Sequence, residues 1–364
     1  MQAPDSALPS HGQGRSDQVE GAAPLGPNGQ GLYPENPVLA RVWRGDAPES
    51  VHRGAWCLVD SSGHVLESAG AIEHPFFTRS AIKCLQVLPL LETGAADAVG
   101  LTDEELALAV SSHNAEPCHV EAARGLLGRL GLTEDHLGCG VQPPGDPKAR
   151  LALTERGAEP GRIHNNCSGK HSGFLALEKH LGGDVAGYLA EDSASQILVR
   201  RAVAEMVEVT PESLGSAIDG CSAPTFRMSL VGLAGAFARF TSPHGLAPER
   251  RAAAERVMAV VAKHPVLLAG NHRRVCTAIV KASGGTLFPK IGAEAIYAVG
   301  VPGRDLALCV KVDDGGLRGL HATLVELLKR FNLIEAAGAR ALERYRQSIV
   351  RNWDGIEVGR VEVL

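Results

Sequence analysis

Aromatic residues are scarce, at 4% of the chain, and basic charge is not in excess, with 36 Lys and Arg against 41 Asp and Glu. A nucleic-acid binder needs a basic face with stacking rings, so this balance argues against one. Long apolar runs are missing too. No stretch approaches the roughly 18 uninterrupted apolar residues of a membrane span. The first residues hold no basic stretch leading into an apolar one, so no secretory signal is visible. The eight cysteines are spread over 364 residues without a C-x-x-C pair. That is unlike the framework of a small secreted domain. Neither H-E-x-x-H, a Walker loop nor a helix-opening G-x-G-x-x-G is present, which disfavours a three-ligand catalytic zinc and a nucleotide cofactor. The expectation is a soluble, cytoplasmic protein with mostly reduced thiols and no nucleic-acid or membrane partner.

Hydrophobic residues make up 45% of the chain, enough for a sizeable core. Residues 1–36 are the exception. About half of them are Gly, Pro, Ser or Gln, and no apolar period is present, so they read as a disordered tail. Residues 37–364 then form a single catalytic domain. Ala55–Val59 and Val65–Ser68 flank the turn Asp60-Ser61-Ser62-Gly63 and predict a β-hairpin. Ala295–Val301 and Leu306–Val312 flank Pro302-Gly303-Arg304-Asp305 and predict a second. Between them, over about 75–285, the pattern is mostly helical. Thr102-Asp103-Glu104-Glu105 is a capping box, and Val120, Ala123, Leu127 and Leu130 mark one helix face closed by Gly131. Helices are also expected at Ala202–Val209, Ala252–Ala262, Leu317–Phe331 and Ala336–Ile349. Strands at both ends framing a helical middle predict an α+β fold with one antiparallel sheet. Regular βαβ alternation is absent.

Ser80-Ala81-Ile82-Lys83 is the sharpest local feature. On a helix, this i, i+3 spacing places serine and lysine on one face. A serine hydroxyl is a weak nucleophile, and a lysine amine kept neutral by burial or a nearby cation can act as its base. The same residues also suit an N-capping serine beside a solvated lysine. Ser112-His113-Asn114 and Lys290-Ile291-Gly292 follow in the order of the S-x-x-K, S-D-N and K-T-G set of penicillin-binding proteins and class A β-lactamases. The first would open a helix, the second lie on a loop and the third on a strand. Asn166-Cys167-Ser168-Gly169-Lys170-His171 and Asp219-Gly220-Cys221 each set a cysteine beside glycine and small polar residues. Two thiolates with a nitrogen donor suit zinc. A disulfide or redox pair, or two small buried hydrophobes, fit the same residues. Cysteines 57, 84, 118, 139, 276 and 309 read as core.

Taken together and in order, these motifs resemble the Rhizobium etli-type L-asparaginases, the asparaginase II family. Glu49–Gly54, Thr78–Lys83, Ser112-His113, Asn166–His171, Asp219-Gly220-Cys221, Ala223-Pro224, Lys290–Glu294 and Asp314-Gly315 carry the resemblance, which covers about residues 37–362. It implies a serine β-lactamase/glutaminase-like fold, a homodimer, and hydrolysis of L-asparagine to L-aspartate and ammonia. It implies two Ser-Lys tandems, Ser80 with Lys83 and Ser112 with Lys290, with Ser80 favoured as nucleophile and Ser112 left open. It implies a zinc ion held by Cys167, Lys170 and Cys221 that assists substrate binding, with Arg79, His171 and Asp219 lining the substrate site. Asn114-Ala115 stands where the family usually has Ser-Gly, Cys84 where it has Pro, Ser193–Gln196 for its H-P-x-Q stretch, and Arg274–Thr277 for its usual R-x-D-T. All four tandem residues and the three metal ligands are intact. The alternatives are a glutaminase, another S-x-x-K-type serine amidohydrolase, or a non-catalytic zinc- or redox-binding protein.

Overall fold

A computed structural model describes residues 36–346 and 348–364. The expected tail at 1–36 lies outside the described residues except for Asn36. That residue is buried, its Nδ2 donating to Asp313 Oδ1 at 2.9 Å and its Oδ1 accepting from Ala71 N at 2.7 Å.

Among the described residues are eleven strands: β1 (Val38–Arg44), β2 (Ala47–Val59), β3 (Val65–Ala69), β4 (Phe76–Phe77), β5 (Gly215–Ile218), β6 (Pro224–Met228), β7 (Phe288–Gly292), β8 (Ile296–Val301), β9 (Leu306–Val312), β10 (Ile349–Arg351) and β11 (Glu357–Val363). An antiparallel sheet runs β10-β11-β1-β2-β9-β8-β7, with β3 paired to β2. The two expected hairpins form, Trp56 opposite Ala69 and Val299 opposite Leu308. They join through β2 and β9, where Cys57 faces Cys309. The ends of the chain thus supply one sheet, the α+β arrangement the sequence indicates. Strands β1, β10 and β11 add to that reading. In β1, Leu39, Ala40 and Val42 are buried, with β2 and β11 paired on either side. The last helix ends at Arg346, and Ile349 opens β10 instead of continuing it.

All of β8 is buried, so both faces of the sheet are covered, as a continuous apolar strand requires. Helices Leu230–Thr241 and Leu317–Arg330 pack on it. The helical middle is as expected, with the capping box closed at Thr102 and Glu105, and it also carries a small sheet, β4-β6-β5. Among the described residues, no helix is long and apolar enough to cross a membrane.

Candidate active site

The chain from Phe76 to Glu92 places the first motif. Thr78 is buried, and its N–H and hydroxyl both donate to Phe226 O at 3.0 Å, fixing the loop to β6. Arg79 then takes a left-handed backbone, φ 50°, a conformation costly for a residue with a Cβ. A 3₁₀ turn, Arg79–Ile82, leads directly into the short helix Lys83–Gln86. Strand β7 approaches this turn so closely that a Cβ on Gly292 would stand 2.6 Å from Thr78 O. Glycine at that position lets Lys290, two residues earlier, reach the same space.

Ser112 sits on an irregular segment between helices Asp103–Ala109 and Pro117–Arg129. Lys83 and Lys290 converge on it. Lys290 Nζ is 2.9 Å and Lys83 Nζ 3.2 Å from Ser112 Oγ, and each lysine is 1% exposed. Lys83 also donates to Ser111 O at 2.5 Å and to Cys167 Sγ at 3.2 Å, while Lys290 donates to Ile291 O at 3.2 Å. Burial, followed by the charge of Lys83, pushes the Lys290 amine down to about 7. The second tandem is therefore a contact in space. The first is a neighbourhood: Ser80 is half-buried, and among the described residues no hydrogen bond joins its hydroxyl to Lys83, whose amine points to Ser112 instead. The i, i+3 spacing predicts a shared helical face, which a 3₁₀ turn also keeps, and it is the amine's bonds to Ser111 O and Ser112 Oγ that draw it from Ser80.

The cysteine loops border Lys83. Cys167 lies at the start of helix Ser168–His180, and Cys221 lies in the turn between β5 and β6. Both thiols are free and buried. The neighbouring Cys221 thiol, with Lys83 and Lys170 nearby, holds the Cys167 thiol well below its ordinary range. The Cys167 thiol and burial raise Cys221. Lys170 Nζ donates to Cys221 Sγ at 3.1 Å. Among the described residues, no three His, Cys, Asp or Glu side chains form a metal cluster. A metal here would need the lysine as third donor, and two thiols with an amine are the soft set that zinc accepts.

Arg79 Nε donates to Asp219 Oδ1 at 2.5 Å, which also accepts from Gly220 N at 2.8 Å. Burial alone would raise the Asp219 carboxyl, but the charge of Lys170 and the Arg79 bond outweigh it and hold it low. His171 is fully buried, with Nδ1 2.6 Å from the Tyr188 hydroxyl. That hydroxyl also accepts from Gly138 N. Burial and the neighbouring lysines keep this histidine neutral.

Three residues beyond the expected set shape the site. His113 Nδ1 accepts from Ala115 N, so its Nε2–H donates to Ser168 Oγ at 2.9 Å, tying the Ser112 segment to the cysteine helix. Arg274 donates to Ser112 O. Asn114 Nδ2 donates to His272 O at 3.0 Å. Arg274 lies in a loop, where no periodicity marks it.

A family model described as L-asparaginase II matches residues 40–363. Comparison with curated proteins gives no match. Among solved structures, the chain is similar to a β-lactamase from Mycobacterium bovis, at 15% identity over 80% of this chain and 95% of that one, with a TM-score of 0.39. It is also similar to Mglu in its native form, at 18% identity over 78% of this chain and 62% of that one, TM-score 0.36. Against the glutamate form of Mglu the identity is 17%, over 82% and 66% of the chains, TM-score 0.36.

Proposed function

The chain belongs to the L-asparaginase II family, a family of amidohydrolases, and from that premise we propose that it hydrolyses the side-chain amide of L-asparagine to give L-aspartate and ammonia. The observation that carries the mechanism is Ser112 Oγ lying within hydrogen-bond reach of two buried amines. A hydroxyl has one proton to give. With Lys290 neutral near pH 7, Ser112 donates to it and accepts from Lys83. Transfer of one proton along Lys83, Ser112 and Lys290 leaves a lone pair on Lys83.

Ser80 is the nucleophile in this reading, because it is the more exposed of the two serines and stands beside the Arg79–Asp219 pair. Its oxygen attacks the amide carbon while its proton passes to Lys83. Lys83 returns that proton to the leaving nitrogen, the C–N bond breaks and ammonia departs. Water then attacks the aspartyl ester, its proton taken by the same amine, and Ser80 regains its hydrogen. The Asp219 carboxylate suits the substrate's α-ammonium. Arg79 and the buried His171 are the neighbouring polar groups.

Cys167, Lys170 and Cys221 would hold zinc. Bound there, the ion would supply fixed positive charge beside the substrate.

Ammonia release from L-asparagine and L-glutamine by the parent, Ser80→Ala and Ser112→Ala tests this reading. Acid-quenched turnover followed by peptide mapping locates the aspartyl adduct. Release from asparagine, loss of turnover in Ser80→Ala and an adduct on the Ser80 peptide are expected. Ser80→Ala activity within about tenfold of the parent, or an adduct on Ser112, would transfer the nucleophile to Ser112. No release from either amide would overturn the substrate.

A further inference from the structure

The segment 268–274 is laced to 112–116 along its whole length. Ser112 N donates to Leu268 O at 3.1 Å, and Asn114 N to Ala269 O at 3.0 Å. Glu116 accepts from Asn271 N at 2.5 Å and from Asn271 Nδ2 at 2.9 Å. Asn114 Nδ2 closes on His272 O. Gly270 makes the turn at φ 115°, where a Cβ would stand 2.5 Å from Glu116 Oε1, so only glycine fits. The lacing ends on the Arg274 guanidinium, which donates to the carbonyl of Ser112 itself.

Building on the proposed role of Ser112, we propose that Arg274 is a positioning residue of this reaction, fixing the Ser112 main chain and adding a third positive charge to the two lysines. Among the described residues, no carboxylate forms an ion pair with Arg274, Lys83 or Lys290. The groups facing Lys290 are Lys83 and Cys84 from helix Lys83–Gln86 and Arg274 and Cys276 at the start of helix Val275–Ala282. Those facing Arg274 bring no acid either. Tyr297 of β8 donates to Cys276 Sγ at 3.1 Å, and the Tyr345 hydroxyl donates to Arg274 O. His321, from helix Leu317–Arg330, is pushed down to about 4 by burial and by the Arg274 charge, and His113 is held low by burial, so both are neutral. Two neighbouring cations, Lys83 and Arg274, disfavour a proton on the buried Lys290 amine. Arg274 lowers the proton affinity of Lys290 and contributes to keeping its lone pair available. A strap anchored at five points keeps that charge and the Ser112 backbone in register, and small misplacements of such groups are costly in rate.

The test compares the parent with Arg274→Met, Arg274→Lys, Asn114→Ala and Ser112→Ala, reading kcat, KM, the pH profile of kcat/KM and the melting temperature. Arg274→Met should lower kcat about tenfold or more with KM within about twofold. Its acid limb should move up by about half a pH unit or more, because one repelling charge is gone. Arg274→Lys should keep the limb near its parental position while recovering only part of kcat, a lysine lacking the planar fork. Asn114→Ala leaves the charge in place and should lower kcat less, with no limb shift. That variant carries the positioning half of the test should Arg274→Met fail to fold, and Arg274→Lys carries the charge half. Parental kcat and limb in Arg274→Met would overturn the proposal, and so would a rise in KM with kcat unchanged. Full activity in Ser112→Ala would instead remove the Ser112 relay, whatever the arginine variants do.

Discussion

The candidate site has two halves of opposite electrostatic character, and Lys83 touches both. On one side Ser112 lies among Lys83, Lys290 and Arg274, all without a carboxylate partner. On the other, the Cys167 thiol is held low beside Cys221, and Asp219 adds a carboxylate beside Arg79 and Lys170. The first half expels a proton from Lys290. The second attracts positive charge, whether an ammonium or a metal. The same residue type therefore has opposite uses a few ångströms apart, and the difference lies in which charges each amine faces, since both halves are buried.

The largest break comes from removing the proton acceptor. Lys290→Met should cut turnover about a hundredfold or more, measured as ammonia release. Its stability should move the other way. Lys290 holds its proton less tightly when folded, at about 7, than when unfolded, at 10.5, so the unfolded chain binds more protons between those values. Stability from this group is present above the unfolded value, falls as pH drops toward 7 and stays low below it. The methionine variant should therefore melt above the parent at about pH 6, and a lower melting point there would show that Lys290 is not held against protonation.

Next in size is the cysteine half. Cys221→Ala removes one donor, and zinc retained in equilibrium dialysis should fall toward none. KM should rise about tenfold with a smaller change in kcat. Undiminished retention would place any metal elsewhere.

The pH profile then sharpens the contrast without a mutation. If Lys290 must be neutral, kcat/KM rises with pH and levels off above about 7, losing about tenfold per unit below it. A flat profile from pH 5 to 8 would separate the relay from this lysine. The smallest effect calibrates the rest. Lys263 and Asp103 pair at 2.7 Å on the surface, with side chains 64% and 41% exposed. Lys263→Ala should leave the melting temperature nearly unchanged and activity unchanged.

Legibility followed sequence distance. The two hairpins were readable because each is a local alternation around a turn. Thr102 and Glu105 announced their helix through a cap three residues long. Strands β1 and β11 were not readable, because their buried faces are completed by partners more than three hundred residues away, Ala40 opposite Val363. Within the site, the S-x-x-K pattern marks Lys83 but not the partners of its amine, which lie 28 or more residues away. Arg274 shows in the sequence only as the first residue of the stretch resembling R-x-D-T, and its partner is hidden because it is a carbonyl 162 residues away.

The sequence by itself determined the components: antiparallel strands from both ends, a helical middle, and the serines, lysines and cysteines that carry chemistry. Periodicity, turn chemistry and motif order are short-range properties, and a linear chain displays them directly. Tertiary structure alone decided the pairings. Which lysine meets which serine, which thiol keeps its charge and which amine sheds its proton all depend on burial and on charges brought together across the fold. An electrostatic environment is a sum over neighbours in space, and no stretch of chain contains that sum.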